Sequence, residues 1–293
     1  TFNRYSYAGN NPLKYTDPSG NFIGTIFTAI WDFGTTIFTK GAIDPWNTKA
    51  NRQSAWSNFD PTAQWSKTNK AWKIDKGLLV TDPNKTTGGR MWELVSRFTW
   101  QSPQMAIGNS YSHITNVFYN RVNSVDYYGG ATILDVDNLI WDADQASGVT
   151  LGNYIAGEGI SSNPFEINED GGISDGAMLL RHEYGHYIQS QRNGFLFLPK
   201  YGISSAADAE WTEIDAEYRS DRYFIKHYGT EPFYYGSRGR AGTLINPNAM
   251  LFNSYHADYR PVNAKWWEYG TFFIGGPFWG SAIVATLNIN KGR

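Results

Sequence analysis

The sequence of 293 residues contains no cysteine and only five histidines. Without cysteine the chain cannot form a disulfide or a thiolate zinc site, so any metal must be held by histidine, aspartate or glutamate. A cysteine-free chain is compatible with export. The first residues lack the basic and apolar segments of a signal peptide, so we expect any export to use a signal outside this sequence or another route.

Charged residues are also scarce, and their signs nearly balance. There are 25 Lys and Arg against 27 Asp and Glu, which gives a formal net charge of −2. This balance offers no basic surface typical of nucleic-acid binding, so no nucleic-acid partner is expected. Aromatic residues are abundant, with 12 Trp, 19 Tyr and 17 Phe, and 41% of the chain is hydrophobic. We therefore expect a sizeable core in one large domain or two smaller ones.

Two of the five histidines, His182 and His186, flank Glu183 in the pattern H-E-x-x-H. Residues four apart lie on one face of a helix, so both imidazoles can bind one Zn²⁺ at about 2.0–2.1 Å. Glu183 lies beside that face, where a carboxylate can act as general base for the water that the zinc activates. The alternative is an amphipathic helix that carries two histidines by chance.

The residues around this motif predict a helix that ends near Asn193. Ser174 and Asp175 are favourable N-cap types, and Gly194 is a favourable residue just after a helix end. An apolar stripe at helical spacing consists of Ala177, Leu180, Tyr184 and Ile188. The motif therefore has the helix that its geometry requires.

A catalytic zinc site needs a third protein ligand. The metzincin extension H-x-x-G-x-x-H is absent, because its glycine and histidine positions hold Gln189 and Arg192. The remaining source is a carboxylate on a later helix, predicted over residues 206–228, where acidic residues are frequent. Glu210, Glu213 and Glu217 are the candidates on this helix.

The segment from Glu213 to Glu217 reads Glu-Ile-Asp-Ala-Glu and resembles the E-x-x-A-(D/E) element that follows H-E-x-x-H in many gluzincins. The resemblance implies that Glu213 is the third zinc ligand, with Glu210 and Glu217 as the fallbacks. It also implies that Glu217 orients a ligand histidine from outside the metal shell. The small side chain of Ala216 would let the two helices approach closely.

Enzymes of this type also need a hydrogen-bond donor for the oxyanion of the transition state. Four aromatic or imidazole side chains after the motif are candidates: Tyr218, Tyr223, His227 and His256. The residue types alone do not choose among them.

The residues before the motif predict short helices at 91–98 and 104–107, followed by strands at 121–128, 131–136 and 149–155. Gly129-Gly130 would join the first two strands as a hairpin. Residues 149–154 are predicted to be an edge strand that pairs with an extended peptide beside the metal. An ordinary interior strand is the alternative. The acidic loop at 157–175 lacks the spacing of a calcium loop and is predicted to be solvated.

Residues 1–21 carry a different signal. Asn3-Arg4-Tyr5, Asn10-Asn11-Pro12-Leu13 and Asp17-Pro18-Ser19-Gly20 resemble the end of the core domain of rearrangement hotspot (Rhs) and YD-repeat proteins. In that family a β-shell encapsulates a variable C-terminal domain, commonly a toxin. The resemblance implies a payload encapsulated in the shell of its own polypeptide and released after delivery by a bacterial secretion system. It also implies a cognate immunity protein as a partner.

Two apolar segments raise the question of membrane contact. Residues 22–39 place apolar side chains at helical spacing, which predicts an amphipathic helix packed on its own domain or on the shell. Residues 269–290 carry no charge. Because Gly275-Gly276-Pro277 interrupts this run, we predict a buried strand, a turn and a C-terminal helix there. Membrane contact by either segment is the alternative.

These observations predict an α+β, zincin-like fold: a small mixed sheet, the H-E-x-x-H helix and a later ligand helix. Residues 1–21 would end the Rhs core, 22–90 would form an apolar helix and a tryptophan-rich linker, and 91–293 would form the metallopeptidase domain. The expected function is a metalloprotease that uses one zinc ion per chain to hydrolyse protein or peptide substrates. The alternatives are a non-catalytic binding or membrane-inserting domain, and a metal-dependent amidase acting on cell-wall peptide.

Overall fold

The computed structural model describes residues 61–117, 119–137, 139, 148–169, 171–206, 210–230 and 260–289. Within these ranges the protein is α+β, with a small mixed sheet and helices before and after it. The predicted Rhs-like end at 1–21, the predicted helix at 22–39 and His256 lie outside the described residues.

The sheet has four strands in the order β1-β2-β4-β3. Strands β1 (Val122–Tyr128) and β2 (Ala131–Val136) form the predicted antiparallel hairpin. Its turn residues Gly129 and Gly130 have φ values of 52° and 86°, a region that favours glycine. Strand β2 pairs in parallel with β4 (Tyr154–Gly157), and β3 (Gly148–Leu151) pairs antiparallel with β4.

The prediction of one strand over 149–155 was therefore wrong. The chain reverses at Gly152-Asn153, where Gly152 has a φ of 68°, and the two halves form the β3–β4 hairpin. Gly-Asn is a favourable turn pair, and that local signal outweighed the run of strand formers on both sides. The first part of the predicted edge strand forms β3, which is one of the two outer strands of the described sheet.

In the described part of the chain, from residue 61 onward, three helices precede the sheet: α1 (Pro61–Gly77), α2 (Thr87–Phe98) and α3 (Ser102–Val117). Ile74 of α1 is fully buried in one cluster with Leu134 of β2 and Tyr154 of β4. The boundary predicted at residue 90 thus divides elements that share one core.

Helix α4 (Asp175–Asn193) carries the H-E-x-x-H motif and confirms the predicted limits. The Ser174 hydroxyl accepts a 3.2 Å hydrogen bond from the Ala177 amide, and the chain leaves the helix at Gly194 with a φ of 54°. Helix α5 (Ile203–Ala206) is a single turn, and α6 (Glu210–Tyr228) is the predicted acidic helix over its described residues.

Helix α4 lies between the sheet and α6. Leu180 and Tyr184 pack with Ile133 and Ile155 of the sheet in a buried cluster. On the opposite side α4 makes a close contact with α6. The loop from 158 to 174 carries exposed acidic side chains, in agreement with the predicted solvated loop.

The last described element is α7 (Trp266–Ile289), so the strand predicted within 269–290 was wrong. The run has no alternating polar residues, and a continuous apolar segment does not by itself distinguish a strand from a helix. Gly276, with φ 69° and ψ 176°, breaks the helical path. No helix in the part of the chain that the structure describes is long and apolar enough to cross a membrane.

Candidate metal centre

His182, His186 and Glu213 meet at one point between α4 and α6. Both histidine Nε2 atoms lie 3.1 Å from the same carboxylate oxygen, Glu213 Oε2. The three candidate ligand atoms lie within 4.8 Å of one another, a group that could hold a metal ion. The sequence-based grouping of these three residues thus corresponds to a real cluster.

A close contact between the two helices brings the carboxylate to the histidines. A Cβ atom added to Gly185 would lie only 2.0 Å from the main-chain oxygen of Ala216. Glycine at 185 and alanine at 216 therefore let the main chains of α4 and α6 touch. Glu213 lies one turn before Ala216, facing the side of α4 that carries the histidines.

The donor set fits zinc. Ligand atoms at about 2.0–2.1 Å from a tetrahedral ion lie about 3.3 Å from one another. The two measured nitrogen-to-oxygen distances of 3.1 Å are close to that spacing. Two imidazoles and one carboxylate also match the ligand types that zinc prefers in catalytic sites.

Side chains outside the cluster orient the ligands. His186 Nδ1 lies 2.8 Å from Gln189 Oε1, which leaves Nε2 directed at the cluster. Gln189 is itself held, because its amide donates to Thr212 O at 2.8 Å and to Asp215 Oδ2 at 2.9 Å. Sequence reasoning missed this role, although the spacing of three residues from His186 places Gln189 on the same helix face.

Glu213 has two further partners. Its second oxygen, Oε1, accepts hydrogen bonds from Ser205 Oγ at 2.7 Å and from Thr212 Oγ1 at 3.2 Å. The carboxylate is thereby fixed with Oε2 toward the histidines. Ser205 belongs to the single-turn helix α5, and no sequence signal marked it as part of the site.

The ionisable side chains of the cluster shift one another's pKa values. Burial alone would lower the pKa of His186, but the Glu213 carboxylate, with Glu183 and Gln189, raises it to about 9. Burial likewise disfavours the Glu213 anion, yet His186 and His182 hold the pKa of Glu213 well below its usual range. The site thus favours an ionised Glu213.

Glu217, the predicted orienting residue, lies near the other histidine. Its Oε1 is 3.9 Å from His182 Nδ1, which is an ion-pair distance rather than a hydrogen bond. Burial, with the nearby charges of Asp221 and Glu213, raises the pKa of Glu217 to about 9. By its distance to the ring, the Glu217 side chain lies beside the candidate ligand His182, one turn of α6 beyond Glu213.

Glu183 is buried and separate from the three ligand atoms. Its Oε2 accepts a 2.7 Å hydrogen bond from Thr150 Oγ1, which also lies 3.1 Å from the Glu183 main-chain oxygen. A Cβ atom at Gly148 would lie 2.4 Å from Glu183 Oε1. Two positions of the edge strand β3 thus contact the carboxylate, and neither was identified from the sequence.

Two of the predicted oxyanion donors lie far along α6 from the cluster. Tyr223 and His227 are ten and fourteen residues beyond Glu213, or about 15 and 21 Å along the helix axis. Tyr223 instead donates to Asp82 Oδ1 at 3.0 Å, and its ring packs on His227. Half-buried Tyr218 lies about 140° around α6 from Glu213.

Two other predicted residues are not placed. His256 lies outside the described residues. Glu210 begins α6, but its side chain is not among those described.

Comparisons of the chain with protein-family models, with curated proteins and with solved structures gave no match. The functional argument therefore depends on the chemistry and geometry of the site.

Proposed function

We propose that this protein is a zinc-dependent metallopeptidase of the gluzincin type, with a zincin-like arrangement of its helices and sheet. His182, His186 and Glu213 would hold the ion, and Glu183 would act as general base. The single observation that carries the proposal is the meeting of the three ligand atoms within 4.8 Å while the Glu183 carboxylate is held outside the ligand set by Thr150.

A zinc ion held by these ligands would supply a Lewis acid that polarises a peptide carbonyl and makes water a better nucleophile at neutral pH. Glu183 contributes the proton transfers. Its Oε2 is held by Thr150, so Oε1 is the oxygen that would take a proton from the attacking water. The same carboxyl group would then give that proton to the departing amine.

The edge strand supports a peptide as the substrate. Strand β3 is one of the two outer strands of the described sheet and lies against α4 at the level of Glu183. An extended peptide can add to such an edge through main-chain hydrogen bonds, which hold it straight across the site. A substrate bound in this way would present its peptide bonds next to the general base.

Two features favour a catalytic over a structural metal. Among the described residues the cluster supplies three protein ligands, whereas structural zinc sites are typically closed by four. The side chain of Glu213 is 35% exposed, while those of His182 and His186 are 11% and 12% exposed. Solvent therefore reaches the site from the Glu213 side.

The biological setting is a second part of the proposal and depends on residues 1–21. Their resemblance to the end of an Rhs core supports a payload of a polymorphic toxin, delivered by a secretion system and neutralised by an immunity protein. Production of the wild-type chain inside bacterial cells would then stop growth, whereas the Glu183→Gln variant would not. Equal growth with both chains would contradict a toxic peptidase in that host.

The experiment that tests the enzyme is zinc analysis combined with peptide cleavage. We expect one zinc per chain in the wild type, none in His186→Ala and a reduced amount in Glu213→Ala. Glu183→Gln should keep the zinc and lose about 10²–10⁴-fold in cleavage rate on a peptide library. Full activity in Glu183→Gln would contradict the general-base role. Zinc unchanged in Glu213→Ala would move the third ligand to Glu210 or Glu217.

A further inference from the structure

Helix α7 is a hairpin of two arms rather than one straight rod. Asn288 Nδ2 donates a 2.9 Å hydrogen bond to Glu268 Oε1, although twenty residues of continuous helix would separate these positions by about 30 Å. The reversal occurs at Gly276, which has a φ of 69°. A Cβ atom at Gly280 would lie 2.6 Å from Phe272 Cα, so the two arms touch beside the turn.

The open end of the hairpin is fixed to the ligand helices. Lys200 and Glu268 form a fully buried ion pair at 2.7 Å. Trp211, two residues before Glu213, donates through Nε1 to Asn288 O at 3.0 Å. Tyr269 donates to Asn193 O, at the end of α4, at 3.2 Å. The hairpin is therefore rigidly connected to the metal centre at its base.

The closed end of the hairpin, in contrast, exposes large apolar side chains. Phe273, Ile274 and Trp279 are 70%, 92% and 69% exposed. Residues 269–290 contain no charged side chain. Phe273 also packs on Phe195, with ring centroids 5.2 Å apart, and its remaining exposed area adjoins Ile274. Exposure of several adjacent apolar groups indicates a surface that another apolar phase covers.

The polar groups of the two arms are compatible with a hydrocarbon environment. Thr271 donates its hydroxyl to Trp267 O at 2.9 Å, and Thr286 donates to Ala282 O at 2.8 Å. The helical main chain satisfies its own hydrogen bonds apart from the residues at the helix ends. Within the arms, insertion into lipid would thus leave few polar groups without partners. Unpaired main-chain groups would remain at the helix ends beside the turn at Gly276.

The charges at the base favour an anionic surface. Arg260 and Lys265 are exposed before the first arm, and Lys291 and Arg293 follow the second arm in the sequence. From residue 260 onward the chain contains one acidic residue, Glu268, whose charge is balanced by Lys200. An apolar tip followed by cations is the pattern that anionic lipid headgroups attract.

We propose that the α7 hairpin docks the protein on a membrane by inserting its tip into one leaflet of an anionic bilayer. The first arm, residues 266–275, is about 15 Å long, which is half of a hydrocarbon core of about 30 Å. Such an arm enters one leaflet and does not cross the bilayer. The proposal does not depend on the metal or on peptidase activity.

The test is co-sedimentation of the full chain with vesicles of phosphatidylcholine, with and without phosphatidylglycerol. The wild type should bind the vesicles that contain phosphatidylglycerol more tightly. Phe273→Asp combined with Ile274→Asp should weaken that binding by at least about tenfold, because two exposed apolar side chains no longer enter the hydrocarbon. Trp92→Asp is the control, since Trp92 is a similarly exposed apolar side chain (68%) that belongs to α2 and not to the hairpin.

The proposal is supported if the double variant loses vesicle binding while Trp92→Asp retains it. Failure of the wild type to bind either kind of vesicle overturns it, and so does an equal loss in both variants, which would indicate general stickiness. A third outcome would also overturn the proposal: the wild type forms a dimer and does not bind vesicles, and the double variant is a monomer. That outcome would show that a second copy of the chain covers the apolar tip. Zinc content and peptide cleavage in solution stay the same in the double variant, so failure of the enzyme proposal is separately visible.

Discussion

Thr150 on the edge strand β3 donates a 2.7 Å hydrogen bond to the carboxylate of Glu183 on the helix that carries the two histidines. The two residues are 33 positions apart in the sequence. This contact fixes the proposed general base relative to the strand on which a peptide substrate would lie. The candidate metal site and the proposed substrate surface are thereby joined through one buried side-chain pair.

Replacement of Thr150 by valine tests this contact. Valine keeps the shape and removes the hydroxyl donor, so the Glu183 carboxylate loses a hydrogen bond of the charged type, worth about 1.5–3 kcal/mol. We expect kcat to fall about ten- to hundredfold with unchanged zinc content. Thr150→Ser, which restores a hydroxyl, should recover most of the rate. A Thr150→Val enzyme with normal kcat would show that the contact is only structural.

Gln189 should control zinc affinity without touching the ion. It accepts from the His186 ring at 2.8 Å, and loss of such an outer partner typically lowers metal affinity 10–100-fold. Gln189→Leu should therefore release zinc to a competing chelator more readily than the wild type. Gln191→Leu on the same helix is the control, because Gln191 contacts Tyr187 and Glu93 instead. Equal zinc affinity in all three proteins would argue against the orienting role.

Gly185→Ala should separate the two ligand helices. The added methyl group would meet the main chain of Ala216 at 2.0 Å, and main-chain atoms cannot turn aside as a flexible side chain can. We expect a loss of stability of about 1–3 kcal/mol from overpacking, together with weakened zinc binding. Gly88→Ala is the control, since a Cβ atom there meets nothing within 4 Å. Zinc titration and thermal unfolding of both variants provide the comparison.

The metal-free protein should become less stable as the pH rises from 6.5 to about 9. Folded His186 has a pKa of about 9 against an ordinary 6.5, so its stabilising proton is fully present below 6.5 and lost through about 9. The raised pKa of Glu217 acts in the same direction from 4.5 to about 9. The lowered pKa of Glu213 stabilises the fold above 4.5 and does not oppose this trend.

The measurement is the melting temperature in the presence of a chelator across that pH range. Zinc must displace the proton of His186, so zinc affinity should rise with pH while metal-free stability falls. Glu217→Gln should reduce the pH dependence of the metal-free protein. A melting temperature that increases from 6.5 to 9 would contradict the ionisation states described above.

Local signals in the sequence were sufficient to predict features that depend on the residues of a single helix. The cap at Ser174, the glycine at 194 and the spacing of His182 and His186 together predicted α4 and its ligand face. The resemblance of Glu213–Glu217 to the gluzincin element implied that both glutamates lie near the histidines, and the structure has both there. Each of these inferences used residues within about two helical turns.

Apart from the meeting of Glu213 with the two histidines, contacts between distant segments were not predicted. Thr150 and Ser205 reach the site because β3 and α5 pack against the ligand helices, and no pattern near either residue indicates that packing. The fold of α7 was misread because a long apolar run without alternation suits a strand and a helix equally. Its actual form depends on the distant partners Lys200 and Trp211.

The main-chain contact between Gly185 and Ala216 affects how a metal ion would bind between the two helices. That contact stops the helices from closing, while the hydrogen bonds from Gln189 to Thr212 and Asp215 stop them from opening. These contacts set the separation of the helices that carry the three candidate ligands. In the proposed site the ion would therefore bind between helices that protein contacts already position, unlike in a zinc finger, which folds only around its metal.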